Sequence, residues 1–248
     1  MKIKSYLQGV ALGVLGCGMM AGSALAGEEV PTAEFAVDTY SQYIWRGYAF
    51  SRNSLVIQPS MTVGWKGFSA NIWGNLDTDP WGGGSKNWNE TDFTLAYDWS
   101  MGDFDLGAGY IFYGLDGADD SQEVYLTAAY NTLLTPTLSI YRDFDAYPGW
   151  YLTLGVGHSF ALGETLALDL GAQVGYMDTD GYDAFHDGQL SASISFPVGQ
   201  YFTITPTLAY SFALSSDAKD TLEAANLGAI GKSDANFIYG GLSVAMAF

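Results

Sequence analysis

Cysteine is almost absent. The 248-residue chain holds one, Cys17, inside a stretch read below as a removed leader. Without it the remaining chain has no disulfide, no thiol nucleophile and no thiolate metal site. This suits a polypeptide that crosses an oxidising compartment unfolded. Positive charge is scarce as well: nine Lys and Arg stand against 27 Asp and Glu, for a net charge of −18. Such a balance repels nucleic acid and acidic headgroups. Charged residues make up only 15% of the chain, too few for a disordered acidic tail. Past the first residues, no apolar run approaches the roughly 20 positions of a membrane helix.

The N-terminus reads as a secretory signal over residues 1–26. Lys2 and Lys4 supply its positive start, and an apolar run extends from Leu7 to Ala21. Ala24-Leu25-Ala26 is the small-x-small cleavage pattern. Cleavage there would start the mature chain at Gly27 and deepen its net charge to −20. A helical anchor is the competing reading, but the run is short and rich in glycine. Val14-Leu15-Gly16-Cys17 loosely matches a lipid-attachment box.

What the chain does have is alternation. From the C-terminus backward, Phe248, Met246, Val244 and Leu242 are apolar, and small or polar residues lie between them. A period of two is what a strand needs when its faces meet different surroundings. The pattern recurs in twelve segments, near 34–45, 55–65, 68–76, 91–101, 104–113, 123–132, 137–145, 150–160, 166–177, 189–198, 202–214 and 236–248. In one, Leu190, Ala192, Ile194 and Phe196 oppose Ser191, Ser193 and Ser195. In another, Phe93, Leu95, Tyr97 and Trp99 oppose Asp92, Thr94 and Asp98. Most reach the ~9–11 residues of a tilted transmembrane strand. A soluble sandwich also alternates, but its strands average about 5–6 residues.

Short connections (Lys66-Gly67, Gly102-Asp103, 133–136, 161–165, 199–201) alternate with mostly longer ones (46–54, 77–90, 114–122, 146–149, 178–188, 215–235). Five inner turns and six outer loops give an even count with both ends on the periplasmic side. The expected fold is therefore all-β: a transmembrane antiparallel up-and-down β-barrel of about 12 strands over residues 27–248. Its expected place is the Gram-negative outer membrane. Lipid and lipopolysaccharide are its expected surroundings. Periplasmic chaperones and the barrel-assembly machinery would engage the C-terminal strand that ends in Phe248.

Some residues fit this pattern badly. Arg142 and His158 fall on the apolar parity near strand ends, where lipid tolerates charge at roughly 0–1 kcal/mol. Pro59 and Pro206 sit inside strands, so a bulge or strand end is expected near each.

Catalysis finds little support. A barrel hydrolase needs Ser and His on one face within hydrogen-bond reach. His158 is followed by Ser159 on the opposite face, and His186 by Asp187 in a loop. No enzyme activity and no cofactor are expected. Asp178, Asp180 and Asp183 offer oxygen ligands for a divalent cation, although the run lacks a distal glutamate.

The interior is the more informative site. Parity directs Asp38, Gln42, Asn71, Asn75, Asp98, Asp105, Glu123, Asp143 and Asp169 inward, with Arg46 pointing in from the outer end of the first strand. An acidic lumen concentrates cations and repels anions, and an arginine among acids could form a constriction pair. Twelve strands lie between filled barrels of about 8 and open ones of about 16–18. A narrow path and a sealed interior are both compatible with that count. In the sealed case the acidic loops would bind a partner or divalent ions.

The opening of the barrel resembles a known family. Ser41-Gln42-Tyr43-Ile44-Trp45-Arg46-Gly47, then Ser51, Gln58-Pro59 and Gly67-Phe68-Ser69-Ala70-Asn71-Ile72-Trp73-Gly74-Asn75 are similar to the first hairpin of the TorF-type porins. The resemblance covers about residues 35–80. It departs from the family at Trp45, where Phe is usual, and across Tyr48 to Asn53. It implies a channel-like outer-membrane barrel and assigns no substrate or catalytic residue.

Overall fold

The computed structural model describes residues 30–80, 87–163 and 165–248. The expected signal, residues 1–26, lies outside the described residues. Chain order runs β1 (Thr32–Tyr40), β2 (Ile44–Trp45), β3 (Tyr48–Ala49), β4 (Val56–Trp65), β5 (Phe68–Asp77), β6 (Trp88–Met101) and β7 (Phe104–Leu115). It continues with β8 (Ser121–Tyr130), β9 (Thr137–Asp143), β10 (Gly149–Leu162), β11 (Leu166–Thr179), β12 (Tyr182–Val198), β13 (Phe202–Ala213), α1 (Ser216–Ile230) and β14 (Asn236–Ala247). Among the described residues, twelve strands close into one antiparallel barrel: β1, then β4 through β14, and back to β1. At the seam Val37 pairs with Val244. There Ala33 and Phe248 exchange both backbone bonds, at 2.9 and 3.0 Å. Among the described residues no barrel strand is left with an unpaired edge, which is what a sheet in hydrocarbon requires.

The two faces of the wall differ as the alternation demands. Outward positions are large and apolar: Leu126 is 59% exposed, Leu208 58% and Leu154 53%. A continuous apolar exterior of this kind needs lipid, not water, around it. Aromatic rings gather at the inner rim. Trp65 pairs with Phe68, Phe68 meets Tyr97 at 4.6 Å, and Phe104 meets Tyr130 at 5.0 Å. Lys66 and Gly67, both at positive φ, make the first inner turn. Arg142 does face outward, with its guanidinium 5.2 Å from the Trp150 ring. His158 also faces outward, and its Nδ1 lies 2.7 Å from the carbonyl of Leu133.

Several expectations change. No bulge accompanies Pro59 or Pro206; the ladders beside them keep one register on either side. Each ring removes one donor, and the neighbouring rungs hold alignment. The bulges lie elsewhere, at Asn75/Leu76 and Val174/Tyr176. Residues 178–188 are not a loop, because β11 and β12 continue to a tight turn with Gly181 at φ 77°. The first strand stops at Tyr40 rather than running to residue 45. Residues 46–54 are not a simple outer loop, since part of them folds inward as the β2–β3 hairpin. Tyr43 and Phe237 are buried beneath this infolded segment and not at the lipid rim.

Residues 215–235 contain α1. Ser215 caps it by accepting from the Ala218 N–H at 3.1 Å, and Gly231 closes it in the left-handed conformation at φ 71°. Ala218, Leu222, Asn226 and Ile230 recur every fourth residue and form its buried face. That face covers the inturned hairpin. Ile44, Ala49, Ala209, Ile230, Phe237 and Tyr239 make an apolar cluster at the outer end of the barrel. A small core of soluble-protein type thus sits within the barrel mouth.

Candidate functional site

The site is built by the β2–β3 hairpin. Its two central residues, Arg46 (φ 48°) and Gly47 (φ 79°), both adopt positive φ between the paired Trp45 and Tyr48. That is the two-residue turn whose twist matches antiparallel strands. The base is locked by Ser51: its Oγ accepts from the Tyr43 N–H at 2.7 Å, and its carbonyl accepts from Gln42 Nε2 at 3.0 Å. From above, Asn226 Oδ1 accepts from the Ala49 N–H at 2.9 Å, while its Nδ2 donates to the Asp234 carbonyl at 2.8 Å. From the wall, His186 Nε2 lies 3.1 Å from the Arg46 carbonyl. A carbonyl only accepts, so Nε2 carries the proton and Nδ1 accepts from Tyr182 Oη at 2.6 Å.

At the hairpin tip the Arg46 side chain crosses to the opposite wall. Its two terminal nitrogens donate to the two oxygens of Glu123 at 2.7 and 2.8 Å. Tyr113 Oη donates to the same carboxylate at 2.8 Å. The guanidinium carbon lies 4.3 Å from the Trp45 ring centroid, 4.3 Å from Tyr151 and 4.9 Å from Tyr141. Burial alone would lower the pKa of Arg46, but Glu123, assisted by Tyr113 and Tyr151, more than offsets this and holds it raised. Burial, with Asp187 nearby, pushes the Tyr48 phenol up to about 12. It stays protonated and donates to Met177 Sδ at 3.6 Å.

Gly47 is needed twice, for its left-handed φ and for space. A Cβ there would meet Leu222 Cδ1 at 3.0 Å and Asp187 Cβ at 3.2 Å. Gly47→Ala is therefore expected to loosen the seated hairpin by about 1–2 kcal/mol from backbone strain alone. Trypsin cleavage after Arg46, quantified by mass spectrometry on folded protein, should accelerate by about tenfold; an unchanged rate would refute this account of the turn.

The anticipated interior residues are distributed as follows. Asp38 lies between Gln58 and Ser243 in register. Asn71 Nδ2 donates to Thr62 Oγ1 at 2.8 Å. Asn75 accepts from Gln58 Nε2 at 3.0 Å and donates to Asn89 at 2.7 Å. Asp98 stands beside Gly107. Asp105 accepts from Ser100 Oγ at 2.6 Å, and Asp143 from Ser121 Oγ at 2.6 Å. Asp143 pairs across the sheet with Glu123. Asp169 lies between Ser159 and Ser193, with both carboxylate oxygens buried and lacking a protein hydrogen-bond partner. Gln42 is displaced from its expected place on the wall; it belongs to the hairpin base. Arg46 reaches inward from the hairpin tip, not from the end of β1. Parity points Arg46 and Glu123 into the same interior, but their contact, across 77 positions of sequence, is not legible from it. Sequence reasoning missed α1 with Asn226, the His186–Tyr182 pair, and the row Tyr125, Tyr141 and Tyr151. A Ser cap, apolar spacing of four and a terminal Gly were the available signals for α1.

The acidic run gathers no metal site. Asp178 and Asp183 oppose each other across β11 and β12, Tyr176 Oη donates to Asp183 at 3.3 Å, and Asp180 sits in the turn. Among the described residues no group of three or more ligating side chains converges. The tight turn spreads the carboxylates along the rims of two strands instead of wrapping them round a centre.

No family model matches the chain, and no curated protein sequence matches it. Solved structures do. The KdgM porin superposes with a TM-score of 0.57 at 11% identity, over 87% of this chain and 99% of that one. The NanC porin gives 0.54 at 11% identity, over 86% and 98%. An outer membrane channel from Pseudomonas putida F1 gives 0.50 at 9% identity, over 91% and 98%. The chain thus has the fold of porin-type outer-membrane barrels.

Proposed function

We propose that this protein is a porin-type channel of the outer membrane that passes small cationic or neutral solutes along an acidic lumen, narrowed at the Arg46–Glu123 contact. The apolar exterior supports the membrane placement. The likeness in fold to the KdgM and NanC porins supports the channel reading. The opening motif from Ser41 to Asn75 supports kinship with the TorF-type porins. One observation carries the charge preference. Among the described residues, the twelve barrel strands hold one Lys or Arg, the outward Arg142, and Arg46 enters the lumen from the hairpin, whereas parity assigns Asp38, Asp98, Asp105, Glu123, Asp143 and Asp169 to the lumen face. Asp169 adds to this, since a buried carboxylate without a protein partner is most stable beside a cation or water. The KdgM porin has been solved with disordered oligogalacturonate; an acidic lumen would disfavour such a polyanion here.

Planar-bilayer recording in a salt gradient tests the reading. The expected reversal potential is that of a cation-preferring pore, and Asp98→Asn with Asp169→Asn should move it toward zero. A reversal of anionic sign would overturn the acidic-lumen assignment. A second reading, a closed barrel that acts through its outer surface and acidic loops, draws on the apolar cluster around Ile44 and Ile230. Absence of any conductance step above leak would favour it.

A further inference from the structure

Arg46 is held as a bound ligand would be held. Its guanidinium meets a carboxylate fork and three aromatic faces, and of these groups only Trp45 belongs to the hairpin. Glu123 comes from β8, Tyr141 from β9 and Tyr151 from β10, all fixed in the barrel wall. The wall groups are braced independently of the hairpin. Tyr113 Oη holds Glu123 at 2.8 Å. Tyr141 lies between Tyr125 at 5.7 Å and Tyr151 at 6.1 Å. Tyr125 lies against Gly109 and Tyr151 against Gly175, positions where any Cβ would strike the ring. These glycines let both rings lie against the wall. Tyr151 Oη is further tied to Asp187 at 2.9 Å.

We infer that this wall cage is a binding site for guanidinium-bearing solutes, and that Arg46 occupies it as a tethered competitor. The shape of the cage selects the class. A planar cation with two parallel N–H donors satisfies both Glu123 oxygens while its faces meet the rings. A quaternary ammonium has the charge but no donors, and urea has the donors but no charge. The inference deepens the channel reading by naming a solute class. It rests on that reading for transport only, not for binding. Tethering sets a high local concentration, millimolar or above for a short link, so the wild-type cage should resist free solute that the Arg46→Ala cage accepts.

Methylguanidinium is the probe. Titrated into folded, detergent-solubilised Arg46→Ala protein, it should change tryptophan fluorescence saturably and raise the thermal midpoint. Half-saturation in wild type should lie at least about tenfold higher. Adding Glu123→Gln to Arg46→Ala should abolish the response. Tetramethylammonium and urea at matched concentrations should give none. Equal response in wild type and Arg46→Ala, or a response that survives Glu123→Gln, would overturn the site. Should Arg46→Ala fail to fold, Asn226→Ala keeps Arg46 and the cage while freeing the Ala49 anchor; its competition by methylguanidinium should be easier than in wild type, and insensitivity would likewise overturn the proposal. A silent bilayer with saturable binding retained supports the site while removing the channel reading.

Discussion

Replacing Leu222 and Asn226 together by alanine is expected to open the outer mouth and, in a conducting barrel, to raise single-channel conductance several-fold. Leu222 is fully buried over Gly47, and truncating such a side chain costs about 2–5 kcal/mol. Losing the Asn226 amide strands the Ala49 N–H, a further penalty of about 1–3 kcal/mol. Neither residue belongs to the wall, so the barrel ladder is untouched and the cost falls on the plug. Two measurements check this together: bilayer conductance, and trypsin cleavage after Arg46. Both should rise, while heat-modifiable gel mobility stays that of a folded barrel. Faster cleavage without added conductance would locate the constriction elsewhere in the lumen.

Glu123→Ala is expected to be the most damaging single exchange at the site. Taking one partner from a buried ion pair leaves an uncompensated charge and costs about 3–5 kcal/mol. The charge left behind is that of Arg46, whose side chain is 11% exposed. Arg46 can escape only by unseating the hairpin, so the loss should appear as hairpin release rather than barrel unfolding. Arg46→Ala leaves Glu123 with the Tyr113 donor and should be milder. The double variant should be less destabilised than the sum of the two, with a coupling within the 0.5–3 kcal/mol found for contacting groups. Thermal midpoints and Arg46-independent proteolysis at Arg52 measure all corners of the cycle. Strict additivity would mean that the fork in the structure contributes nothing to seating the plug.

The parts of this molecule differ in how far they could be read from the chain. The inner turns were legible because Lys66-Gly67 and Gly102-Asp103 interrupt alternation abruptly. Parity alone puts Asp98, Asp105, Glu123 and Asp169 on one face of β6, β7, β8 and β11, whatever that face does. The hairpin was not legible. Ile44, Trp45 and Tyr48 continue the look of a strand, and nothing local says that Arg46-Gly47 turns inward instead of outward. Its anchors are remote: Arg46 meets a residue 77 positions away, and Ala49 one 177 positions away. The helix hid for a related reason, since the apolar partners of its buried face, Ile44 and Ala49 of the hairpin and Ala209, Phe237 and Tyr239 of the wall, are remote in sequence or assembled only by barrel closure.

Alternation over long strands, with short and long connections taking turns between them, determined the class of protein and the even strand count, because hydrocarbon on one side and a polar interior on the other impose a period of two over the whole span of each strand. Only the tertiary structure decided that the first loop and α1 fill the mouth and that Arg46 meets Glu123. Those outcomes depend on which side chains share one enclosed volume, and that is set by closure of the barrel, not by any segment within it.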